Sequence, residues 1–310
     1  MIQIPAELLG RDFDFGEAVV DAETIKRYAE MVGDAPTLAA IERGGEIVAP
    51  PTFCLSLHHG MRPEVPLPEG MFGVYGGHDL EFLRPLRAGM TYRVGARLAD
   101  VYEKNGRSGT LTMIARHGWI RTATGEIAVR IHERQVVRRK PTQSPAAAPV
   151  MASRDGDAAV QASTAAPQAR PASEIELGTE LGPLRRPATT VAQVSTYVAR
   201  GEMKEELFTD ATQARALGYR GIVVPGPMLT AFLEHFVRAQ LPGWRLERLG
   251  TTFRLPTITG DPLLLSGVVS QHHQRADGEH IVCDLVVEHP SGERAVTAAA
   301  TLRRVLKVEF

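Results

Sequence analysis

Two stretches carry a glycine followed directly by an acid: Gly33-Asp34 in YAEMVGDAP and Gly201-Glu202 in GEMKEELFTD. A carboxylate shielded from bulk water can take a proton from water and return it, which is the minimum that general acid–base chemistry requires. A third stretch, GIVVPGPMLTAF, places Gly226 at a helix entrance. There, unpaired N–H groups and the helix dipole favour a developing negative charge, and a glycine lets a ligand approach the backbone. The corresponding Pro51 has no N–H to donate. Plainer readings stand beside these. GEMKEELFTD also reads as a solvated acidic loop, with Glu202, Glu205 and Glu206 in water and Phe208 in the core. Gly226 also reads as a helix-entry turn residue, Gly-Asp-x-Pro is an ordinary turn, and Asp210 before Ala-Thr reads as a helix N-cap.

The histidines are scattered. His58 and His59 lie in an apolar helical stretch and diverge by about 100°, so one of them should face away from solvent. His235 lies in the corresponding stretch of the second half, His78 and His117 in strand-like runs, and His272 and His273 near a hairpin. No zinc spacing, phosphate loop or Gly-x-Ser-x-Gly elbow occurs. No cofactor or metal is therefore expected.

The elements that must position these residues occur twice. TIKRYAEMVGD and QVSTYVARGEM are short amphipathic helices with Tyr28 and Tyr197 just before the Gly-acid pair. VAPPTFCLSLHHGM and VVPGPMLTAFLEHFV each give a β-branched start, a proline and a longer apolar helix, proline being tolerated in a first turn. LEFLRPLRAGMTYRVGARLADV and TTFRLPTITGDPLLLSGVVSQH share Phe, then Pro, then Gly, then an alternating strand; TGEIAVRIHERQVVRR and SGERAVTAAATLRRV close each half. Each half thus reads as strand, short helix, longer helix and four antiparallel strands. An antiparallel sheet must then pack on its apolar helix. Between the halves, residues 139–175 turn to Pro, Ala, Ser and Gln without apolar period and read as a flexible linker. The domains are therefore 1–138 and 176–310, with the two sheets expected to join edge to edge.

The totals agree. At 310 residues, 44% apolar, 23% charged and net charge −1, two domains can each bury a core, and no basic excess invites nucleic acid or an anionic membrane. No apolar run approaches a membrane span or a signal peptide. The two distant cysteines, Cys54 and Cys283, read as free thiols in a reduced cytoplasm.

The arrangement resembles the MaoC-like hydratase/dehydratases of the hotdog superfamily in their double-hotdog form, an α+β fold of two tandem modules, each an antiparallel sheet wrapped on a central helix. YAEMVGDAP, VAPPTF and HDLEFLRPLRAG resemble the FAS1-like dehydratase domain of such proteins, and AQARALGYRGIVVPGPML and GTTFRLPTITGDPL their second domain. The resemblance implies a cytoplasmic lyase adding water to, or removing it from, an acyl thioester of coenzyme A or a carrier protein. The family site is Gly-Asp-x-Asn-Pro-x-His, and here it is degenerate. Glu202 falls at the Asp position, Phe208 at the His position, and the first half keeps Gly33 and Asp34 without a histidine. Glu202 and Asp34 are then the expected catalytic groups, with Gly226, Tyr197 and Phe208 on the substrate. The alternatives are a non-catalytic thioester-binding or partner subunit, or a relative repurposed for conjugate addition or cyclisation. A homodimer or a hotdog partner is a further expectation.

Overall fold

The computed structural model describes residues 7–58, 61–106, 109–141 and 169–305. In the first half, β1 (Asp12–Val20) leads to α1 (Ala22–Val32) and α2 (Ala35–Arg43). A 3-10 turn (Pro51–Phe53) then runs into α3 (Cys54–His58), followed by β2 (Met71–Phe82), β3 (Met90–Gly106), β4 (Gly109–Thr122) and β5 (Ile127–Arg139). The second half repeats the order: β6 (Glu180–Arg186), α4 (Val191–Arg200), a 3-10 turn (Glu206–Phe208), α5 (Ala211–Ala216), α6 (Gly226–Gln240), then β7 (Trp244–Phe253), β8 (Leu263–Arg275), β9 (Gly278–Glu288) and β10 (Arg294–Arg304).

All ten strands form one antiparallel sheet in the order β1-β3-β4-β5-β2-β7-β10-β9-β8-β6. Read outward from its centre, each half runs through the same sequence of equivalent strands, which is the duplication seen in the chain. The halves meet at β2 and β7, with Leu80 opposite Leu249 and His78 opposite Thr251. This seam removes one exposed strand edge from each half.

Local sequence explains the helices. Asp21 caps α1 by accepting from Thr24 N at 2.8 Å, and Gly33 ends it in the left-handed region at φ 78°. Ile25, Tyr28, Ala29 and Val32 form its buried stripe. Thr190 and Gln193 make a capping box at the start of α4, and Asp210 caps α5. The two apolar helices differ in length. The fifteen residues of α6 run on without a breaker once past Gly226 and Pro227 in the first turn, whereas α3 has five. The sequence after α3 carries Gly60 and Pro63, residue types that do not propagate a helix. Among the described residues, the longer helix expected in the first half is one turn.

Residues 142–168 of the expected linker lie outside the described residues. At its ends, Lys140 N donates to Gly70 O (2.7 Å) and Arg170 N to Gln240 O (3.2 Å).

Candidate active site

Val223 N donates to Leu207 O (3.1 Å) and Val224 N to Thr257 O (2.8 Å). These bonds tie the acidic loop, the entrance of α6 and the Phe253–Thr257 segment together. Between them lies a cavity of about 250 Å3, whose walls include Leu207, Phe208, Tyr219, Val224, Gly226, Leu229 and Phe253, with Gly73–Gly76 of β2 reaching in from the other half. Arg138 and Arg254 also line it, and both are exposed.

Gly226 opens α6 as expected, and its N–H lies in the first turn, where no intrahelical acceptor exists. Its lack of a side chain also has a packing cause: a Cβ there would stand 2.6 Å from the Phe253 ring. Phe208 is buried and forms part of the cavity wall.

The carboxylate on that wall is Glu205, not Glu202. Glu202 stands in left-handed backbone at φ 50°, the one non-glycine residue with positive φ among the described residues, and its side chain is exposed. That conformation turns Glu202 outward while Met203 beside it is buried. Glu205 Oε1 accepts from Arg62 Nη2 at 3.0 Å, whereas Oε2 is buried without a hydrogen-bond partner. Arg62 comes from the first half, just after α3. Its Nη1 donates to Glu133 Oε1 (3.1 Å) and to the Tyr75 hydroxyl, and Arg116 Nη1 donates to the same Glu133 oxygen and to Gln135 Oε1, both at 3.0 Å. Burial pulls the Arg62 pKa down, but Tyr75, Glu133 and Glu205 around it raise it well above its ordinary value, so it stays charged.

Asp34 is assembled elsewhere. Fully buried at the start of α2, it accepts from Thr37 N and Thr37 Oγ1 (3.1 and 3.0 Å) and from Arg238 Nη1 (2.9 Å). His235 Nδ1 lies 3.7 Å away. Burial alone would raise the Asp34 pKa; the nearby His235 ring, the Arg238 charge and the Thr37 N–H hold it well below the usual carboxylate range. Arg238 also donates to Glu234 Oε1 (2.7 Å), Glu234 Oε2 accepts from Thr52, and Thr52 accepts from Tyr28. Tyr197 is 3% exposed, its ring tilted against Tyr28 at 6.3 Å, and it is not among the residues lining the Gly226 cavity. A second cavity of about 390 Å3 lies beside this chain of groups, lined by Thr37, Pro51, Phe82, Arg238 and Trp244 among others.

The structure therefore brings Gly226 and Phe208 together, and places Glu202, Asp34 and Tyr197 away from them. Sequence reading passed over Glu205 and Arg62. The acid signal for Glu205 lay in the same loop, but nothing local marks Arg62 as its partner. Two described histidines touch residues that line the cavity: the His78 ring meets Phe253 edge-on at 5.6 Å and Tyr75 at 5.3 Å, and His289 Nε2 lies 3.3 Å from Thr257 Oγ1. His78 is fully buried, and burial lowers its pKa to about 4.

Comparison with known proteins follows the same lines. Residues 7–131 match the family model described as FAS1-like, dehydratase domain region. A solved MaoC-like dehydratase shares 16% identity at a TM-score of 0.75, covering 96% of this chain and 99% of that one. HtdX of Mycobacterium tuberculosis shares 16% identity at 0.59, over 95% and 100%. A conserved protein of the same organism, described as having a double hotdog fold, shares 14% at 0.61, over 95% and 96%. No curated protein matches by sequence. At these identities the structural likeness establishes the fold, and the family model covers the first half. The chain has a double-hotdog fold, and residues 7–131 of its first half match the FAS1-like dehydratase domain region.

Proposed function

We propose that the protein is an acyl-thioester hydratase or dehydratase whose base is Glu205. The observation that carries this reading is the shared cavity. Glu205, held at one oxygen by Arg62 and unpaired at the other, opens on the same apolar space as the first turn of α6. In the hydration direction, the Glu205 carboxylate takes a proton from water as the water oxygen bonds to the β-carbon of an enoyl thioester. Electrons of the double bond move to the thioester oxygen, where the Gly226 N–H and the α6 dipole stabilise the enolate. As the enolate collapses, the α-carbon takes the proton back from Glu205; dehydration is the reverse. Arg62 is a positioning residue, holding Oε1 and leaving Oε2 without a hydrogen-bond partner. The exposed Arg138 and Arg254 suit the phosphates of coenzyme A or of a carrier-protein arm.

The second reading is a thioester-binding or partner subunit. It is favoured by the absence of any histidine among the described residues that line the Gly226 cavity and by the arginine already bound to Glu205. Mass spectrometry of products from a series of enoyl and 3-hydroxyacyl thioesters separates the two. Gain or loss of one water is expected. Glu205→Gln should lower the rate roughly 10²–10⁴-fold, with binding retained, while Glu202→Gln should leave it unchanged. Thioester binding with no conversion by any form would support the partner reading, and full activity in Glu205→Gln would remove that residue from the chemistry.

A further inference from the structure

On the outer face of the sheet, His117 of β4 stands directly across from His132 of β5. Their rings are stacked, with centroids 4.3 Å apart and planes 21° from parallel. His117 is exposed and His132 half-buried. Neither ring makes a hydrogen bond or ion pair with another described residue, unlike His272, His273 and His280, which are bonded to Glu279, Gln271 and Asp277. The pair lies in a cross-strand row that continues to Arg97 on one side and Asp79 on the other. Arg97 is neutralised by Asp12 (2.6 Å), and Arg134, two residues along β5, by Asp79. No unpaired cation therefore adjoins the two imidazoles in this row.

We infer that His117 and His132 form a surface site for a late first-row divalent cation of the Ni(II), Cu(II) or Zn(II) class. Directly opposed residues on one face of an antiparallel pair have Cβ atoms about 5 Å apart. Small rotations of the two side chains then bring one nitrogen from each ring onto a common ion. Imidazole is the side chain these borderline metals favour, and chelation by two rings on rigid strands requires no backbone movement. No group of three or more His, Cys, Asp or Glu side chains converges among the described residues, so the ion keeps water on its remaining positions. The site lies on the sheet surface and takes no part in the thioester chemistry.

Calorimetric titration of the full chain with Ni(II) tests the proposal. One ion per chain is expected, together with a rise in thermal midpoint on metal addition. His117→Asn and His132→Asn should each abolish both signals, while their midpoints without metal stay at the wild-type value, because the side chains are on the surface. His273→Asn should bind as wild type does. Binding that survives in either cross-strand variant, or that is lost in His273→Asn instead, overturns the assignment.

Discussion

At the scale of single residues, two buried ionisable groups have distinct consequences. His58 is fully buried, and burial lowers its pKa to about 4 from an ordinary 6.5. The unfolded chain therefore binds that proton at a higher pH than the folded one. Stability falls as pH drops from about 6.5 toward 4, by roughly 3 kcal/mol at most for this ring. Thermal midpoints measured across that range for wild type and His58→Asn should converge toward acid pH. Asp34 behaves differently. Its folded pKa is depressed, so its contribution is complete above the ordinary 3.8 and is lost only below it. The deficit of Asp34→Asn should be constant from pH 7 to about 4 and shrink beneath that, read by the same midpoints.

At the scale of elements, the acidic loop and the entrance of α6 each depend on one backbone detail. Glu202 occupies a left-handed conformation that glycine adopts without penalty. Glu202→Gly should therefore raise stability by up to about 1 kcal/mol and leave activity intact, which chemical denaturation and the product assay would show. Gly226→Ala pushes a methyl group into the Phe253 ring. Overpacking of this kind costs about 1–3 kcal/mol, and pairing it with Phe253→Leu should recover most of that stability. If activity stays low in the double variant, the helix entrance serves the substrate as well as the packing.

At the scale of the whole molecule, each half completes the other's cavity. Arg62 of the first half holds Glu205 of the second, and Arg238 of the second holds Asp34 of the first. With the β2–β7 seam, these pairs make the halves one unit. A protease site introduced between residues 150 and 160 should yield two fragments that remain together in gel filtration. Arg238→Leu should be strongly destabilising, by about 3 kcal/mol or more, because it leaves Asp34 and Glu234 buried without their cation. Fragments that separate freely would argue against the seam as the main tie. No helix among the described residues is long and apolar enough to cross a membrane.

The duplication, the order of elements, the antiparallel strands and the helix entrance at Gly226 are legible in the chain, because each rests on periodicity, caps and turn residues that act within a few positions. The short α3 is legible only in hindsight of Gly60 and Pro63. Which acid faces the cavity is a different kind of fact. It turns on one left-handed residue at Glu202 and on an arginine 143 positions from Glu205. The meeting of Asp34 with His235 and Arg238, like that of His117 with His132, likewise depends on chain segments brought together by the fold. Local sequence determined the framework of this protein. Tertiary packing alone decided which of its charges meet, because the energies that orient a buried carboxylate come from partners that sequence neighbours do not supply.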